Sequence, residues 1–197
     1  MYETALSPLN PAPSRPRRAA GLSRRQRGLL VALHVGSGGA WLGTALCMTV
    51  VSLAAGPAGD PAALHAVNQV LERLDDPVMI SSSLAATATG LLLSWRTSWG
   101  FFKFHWVIAK QILTFVVMLA AAIWLHGWIK QLATISAHAR AGAPLEPAYA
   151  LAHRDHVLGS LVAVAAIGAI VLISVLKPWG RRRPARTESL TSRRPLR

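Results

Sequence analysis

The sequence predicts an all-α fold: a four-helix transmembrane bundle with a short amphipathic helix in its first outer loop. Three observations carry this reading. Of 197 residues 52% are hydrophobic, yet the formal net charge is +13, so apolar and charged residues must be segregated along the chain. Four apolar stretches, at about 28–54, 78–95, 104–128 and 156–176, are long enough to cross a hydrocarbon core of about 30 Å, which takes roughly 20 helical residues. The basic residues crowd the two tails and the connection between the second and third stretches, which all lie on one side of a four-span bundle.

Residues 1–27 are rich in Pro, Ser and Arg, and residues 181–197 repeat that composition. Neither buries enough apolar surface to offset the entropy of ordering, so both are expected to be disordered basic tails flanking a membrane domain of residues 28–180. Arg15, Arg17, Arg18, Arg24, Arg25 and Arg27 precede the first span, Arg96 and Lys103 lie between spans two and three, and Lys177, Arg181, Arg182 and Arg183 open the second tail. The positive-inside rule then places both termini in the cytoplasm, with the domain in the plasma membrane. Topology and anionic lipid account for the Arg clusters, which lack the interleaved aromatics of a nucleic-acid surface, so no nucleic-acid partner is expected. The first span is too long and starts too late for a standard signal peptide and is expected to stay in place.

Within that span Cys47 has no partner cysteine and reads as a small buried residue. Gly36 with Ala40, and Gly39 with Gly43, form small-xxx-small pairs that would admit a neighbouring helix. In the loop that follows, Asp60 is placed to cap a helix with Pro61 at its first position. Leu64, Val67, Leu71 and Leu74 share one face of that helix, which is expected to lie on the outer membrane surface or across the bundle mouth. Asp76 and Pro77 repeat the start signal for the second span, which carries Ser81, Ser82, Ser83, Thr87 and Thr89, while Ala86 and Gly90 offer a close helix contact. The third helix is expected to run on past the bilayer to Gly142, before Pro144 and Pro147 interrupt the chain ahead of the fourth.

An ionisable residue inside a span is costly and marks a functional site by default. His34 and Lys110 each lie about six residues into their spans, roughly 9 Å from the same end. Trp41, seven residues after His34, projects from nearly the same side, and Trp106, Lys110 and Thr114 stack at spacings of four. A flat ligand between these helices would meet an imidazole, an indole and an ammonium. Two simpler roles remain open: Lys110 snorkelling to the interface, and His34 making one neutral hydrogen bond across the bundle. His105 and His126 stand at opposite ends of the third span, roughly 31 Å apart, and cannot share a ligand. His126, His153 and His156 could gather at the outer mouth as a copper or zinc site, or be solvated interfacial histidines. No P-loop, nucleophile elbow or close intramembrane carboxylate pair supports hydrolase or nucleotide-driven chemistry.

"LHVGSGGAWLG" in the first span, with "FHWVIAKQILT" and "WLHGWI" in the third, resembles a superfamily of four-span membrane proteins. It includes HemJ-type protoporphyrinogen oxidases, the membrane domain of CopD-type copper-resistance proteins and an uncharacterised DUF membrane family. In HemJ-type proteins the matching first-helix histidine and tryptophan and third-helix lysine are linked with haem b and activity. The resemblance therefore implies a haem-b-binding, redox-active membrane protein of the oxidoreductase class, with His34 as axial ligand. Trp41, Trp106 and His105 would line the cofactor, and Lys110 would engage a propionate or porphyrin substrate or support proton transfer. A quinone or respiratory electron partner would follow, and a homo-oligomer is compatible with the same residues. The alternatives are a copper-handling protein using His126, His153 and His156, and a cofactor-free scaffold or partner subunit.

Overall fold

The computed structural model describes residues 22–56, 59–96, 102 and 104–179. The tails expected over residues 1–27 and 181–197 lie outside the described residues except for 22–27, and those begin the first helix instead of a tail. Helix α1 spans Arg24–Ala55. Ser23 starts it with a reciprocal capping box: the Gln26 N–H donates to Ser23 Oγ at 3.2 Å and the Ser23 N–H to Gln26 Oε1 at 3.0 Å. A hydropathy window passes over this signal because the first turn is arginine-rich.

Helix α2, Pro61–Leu74, starts as its sequence dictates, with Asp60 Oδ2 accepting from the Ala63 N–H at 3.0 Å. It does not stop at a second cap. A π-helical turn, Asp75–Met79, joins it directly to α3, Ile80–Arg96, and the Ile80 N–H bonds the Asp75 carbonyl five residues back. Pro77 supplies the physical reason, since its ring and missing N–H disrupt the i to i−4 ladder, and the widened turn carries the chain past it. A second π-helical turn, Ala121–Leu125, joins α4, His105–Ala120, to α5, His126–Arg140. Beyond α5, Gly142 adopts φ +98° and the Ala143 N–H returns to the His138 carbonyl at 3.1 Å, the glycine-dependent stop expected there. Helix α6, Pro147–Leu176, starts well before His156, with Pro147 in its first turn, and ends where Lys177 turns left-handed ahead of Pro178.

Among the described residues there are therefore four continuous helical rods, each long and apolar enough to span a membrane. Leu33, Val50, Ile112, Leu119, Val162 and Val175 are exposed on the outside, the lipid-facing surface of a multi-pass integral membrane protein. Cys47 is on this exposed surface too, not buried. Between the spans, Trp41, Ala45, Ala86, Val117 and Ile167 form the central core.

The apolar face of α2 does not rest on the membrane. Leu64 packs with Leu132, Ile135, Tyr149 and Ala152, and Leu71 with Met48 and Ile129, so α2 pairs with α5 and the start of α6 beyond the spans. Asn68, buried in this seam, donates from Nδ2 to the Leu132 carbonyl at 3.3 Å and to Tyr149 Oη at 3.0 Å. Protein, with its buried hydrogen bonds, covers that face better than a lipid headgroup layer would. We call this end of the bundle distal, and the opposite end, where α1 begins and α6 finishes, terminal.

Candidate functional site

Helices α3 and α4 touch each other over a short stretch only, while α1 packs closely on α3 and α6 on α4. The space left among the four spans is a cavity of about 390 Å³. Its walls are chiefly apolar, and His34, Trp41, Thr87, Lys110, Gln111 and Thr114 all line it. An adjoining cavity of about 170 Å³ toward the terminal end shares His34 and Lys110 and adds Arg27 and Trp106. The fold thus brings His34, Trp41, Lys110 and Trp106 to one place. His105 is exposed at the start of α4 and lines neither space.

His34 crosses from α1 to α3. Its Nδ1 lies 3.0 Å from the Ala86 carbonyl and 3.2 Å from Thr89 Oγ1. A carbonyl can only accept, so Nδ1 carries the proton, and Thr89, whose hydroxyl donates back to the Ala85 carbonyl at 2.6 Å, accepts from it as well. Nε2, which has no hydrogen-bond partner among the described residues, keeps its lone pair when the ring is neutral. Gly90 makes room for the ring: a Cβ there would stand 2.9 Å from His34 Cε1. The expected close contact through Ala86 and Gly90 is therefore present, and the imidazole occupies it. Gly36, Gly39 and Gly43 have open space where a Cβ would go and do not serve close helix packing; Gly38 and Gly39 form cavity wall instead.

Lys110 Nζ sits 5.1 Å from the ring centroid of Trp106, which is 4% exposed, a cation–π contact at i, i+4 spacing. Next to it, Gln111 Nε2 is buried with no hydrogen-bond partner among the described residues. An unsatisfied buried amide costs about 1–3 kcal/mol, and this donor stands on the cavity wall. Sequence reasoning missed it, although Gln111 is the lone amide in an apolar run. Arg27 and Ser94, which also line these spaces, gave no signal either.

At the distal end His153 and His156 meet on Ser52, and His126 stands apart from them. His153 donates from Nε2 to the Ser52 carbonyl at 3.0 Å, and the buried His156 places Nδ1 3.2 Å from Ser52 Oγ. His126 turns away to the π-helical turn, where its Nδ1 lies 2.6 Å from Asp75 Oδ2 and 3.8 Å from Asp76 Oδ1. Lys130 Nζ, 2.9 Å from Asp76 Oδ2, holds that carboxyl below the ordinary carboxylate range.

A family model described as a predicted integral membrane protein, DUF2269, matches residues 28–178, which takes in the four helical rods except the first turn of α1, and the walls of both cavities except Arg27. The chain belongs to this family. Comparison with curated proteins and with solved structures returned no match. Membership agrees with the four-span architecture, and the site residues His34, Trp41, Lys110 and Gln111 all fall inside the matched segment.

Proposed function

We propose that this membrane protein binds haem b in the cavity among its spans, with His34 as an axial ligand, and takes part in electron transfer or oxidation of a small substrate. One observation carries the proposal: His34 Nδ1 is anchored on the Ala86 carbonyl, the arrangement that fixes a ligand histidine's tautomer and presents Nε2 to iron. The donor set fits the group. The cavity is within the range of about 300–1,000 Å³ that takes small-molecule cofactors, its walls are apolar, and Lys110 with the unpartnered Gln111 amide offers a carboxylate two donors near the terminal end.

Bound there, haem would supply one-electron chemistry at its iron. The chain's part is to hold and exclude. Thr89 and Ala86 keep the imidazole from rotating, Trp41 closes the inner end, and Lys110 would offset the charge of a bound carboxylate or give it a proton. A quinone or respiratory partner is the electron acceptor in this reading. Arg24, Arg25, Arg27, Arg96 and Lys177 stand at the terminal end, and Glu72, Asp75, Asp76 and Asp155 at the distal end, which supports cytoplasmic termini, a plasma-membrane location and anionic lipid around the basic end. The copper reading has less support, since His126 does not join His153 and His156.

The test is haem stoichiometry in protein purified from haem-replete cells. Wild type should approach one haem per chain. Gly39→Leu, which adds bulk where a Cβ meets nothing within 4 Å, should fold normally and lose haem by filling the cavity. Haem-free, monodisperse wild type overturns the proposal, as does a Gly39→Leu variant that keeps its full complement.

A further inference from the structure

The distal end holds a second, separate constellation. Both π-helical turns, Asp75–Met79 and Ala121–Leu125, border one cavity of about 240 Å³, whose lining includes Asp75, His126, Trp41, Met79, Ser83 and Met118. π-Turns inside helices recur at functional sites because they re-aim side chains that an uninterrupted helix would hold elsewhere. Here they set a carboxylate and an imidazole, 51 residues apart in sequence, against each other.

We infer that Asp75, Asp76 and His126 form a binding site for a divalent first-row cation of the zinc class, with its open coordination position toward this cavity. Oδ2 of Asp75, a carboxylate oxygen of Asp76 and Nδ1 of His126 lie within 4.8 Å of one another. A tetrahedral zinc with bonds of about 2.0–2.2 Å needs ligand atoms roughly 3.3–3.6 Å apart, a spacing that small side-chain rotations from this geometry reach. The set of two oxygens and one nitrogen suits a borderline cation and leaves the fourth position to water or an exogenous ligand.

Each carboxylate has distinct work. Asp75 is 7% exposed, so its charge is expensive to leave unneutralised. Asp76 gives Oδ2 to Lys130 at 2.9 Å and keeps Oδ1 toward His126; Lys130 is itself held by Glu72 at 2.8 Å. Lys130 thereby orients a ligand carboxylate from behind, as outer partners do around metal ions. With His126 neutral, as a metal ligand must be, Asp75, Asp76 and Glu72 set three negative charges against the one ammonium of Lys130, an excess of two that a divalent cation would offset. His153 and His156, committed to Ser52, are outside the site.

Zinc binding to the full-length protein in detergent tests this, after chelator treatment, by competition titration, with cobalt as a spectroscopic stand-in. Wild type should bind one zinc and give the intense visible band of low-coordinate cobalt. His126→Gln and Asp76→Asn should each weaken zinc by about tenfold or more, and His153→Gln should leave it unchanged. Asp76 is exposed on the surface, so its variant reads the site even if His126→Gln folds poorly. Wild type without stoichiometric zinc overturns the inference, and so does affinity that survives Asp76→Asn and His126→Gln or that follows His153. None of these outcomes depends on haem.

Discussion

Gly90 decides how close His34 comes to α3. A methyl group there would stand 2.9 Å from the imidazole Cε1, nearer than real Cβ atoms come to their neighbours, so Gly90→Ala must push the ring off Ala86. Overpacking costs roughly 1–3 kcal/mol and the gain in helix propensity returns up to about 1, so thermal unfolding in detergent should show a net loss of about 1–2 kcal/mol. Haem occupancy should fall with it. An unchanged melting temperature and full occupancy would mean that the ring is not held as described. His34 and Lys110 were legible in the sequence because each puts an ionisable group inside an apolar run, and Trp41 because 3.6-residue geometry sets it on the His34 side of α1. Gln111 escaped because a search for ionisable groups passes over an uncharged amide; what marks it is that its Nε2 has no partner among the described residues, which only the packed bundle reveals.

At the scale of elements, α2 stands on α5 through a small buried seam. Leu71, 2% exposed, is its centre, and Leu71→Ala should destabilise the distal end by about 2–5 kcal/mol. Hydrogen exchange should show α2 amides losing protection before those of α1 and α6; uniform loss along the chain would contradict an independently seated α2. The four spans, the Asp60 and Pro61 start of α2 and the Gly142 stop of α5 were legible, since hydropathy length, caps and helix breakers are local signals. The π-helical turns were not. Asp76 and Pro77 carry the composition of a helix start, and whether the chain caps or widens there depends on what α2 packs against. The same holds for the pairing of His126 with Asp75, which joins two different rods.

The described residues are polarised: Arg24, Arg25, Arg27, Arg96 and Lys177 stand at the terminal end with no carboxylate beside them, while at the distal end Asp60, Glu72, Asp75, Asp76, Glu146 and Asp155 outnumber Arg73, Lys130, Arg140 and Arg154, and the two candidate sites divide along the same axis. Trp41 borders both the cavity among the spans and the distal cavity. Labelling with an impermeant maleimide checks the orientation: in a Cys47→Ser background, Ala141→Cys should react in intact cells and Trp179→Cys only after lysis. The reverse pattern would invert the topology, put the His126 cluster on the cytoplasmic side, and require the basic end to face outward against the positive-inside rule.

The central claim is that His34 binds haem iron. Its most direct test is the absorption spectrum of purified protein, oxidised and then reduced with dithionite, for wild type and His34→Gly with and without added imidazole. Wild type should show a Soret band and a sharp reduced α-band, His34→Gly should lose them, and imidazole should restore them by entering the space left by the missing side chain. A colourless wild type, or the same bands in His34→Gly without imidazole, would contradict His34 as the ligand.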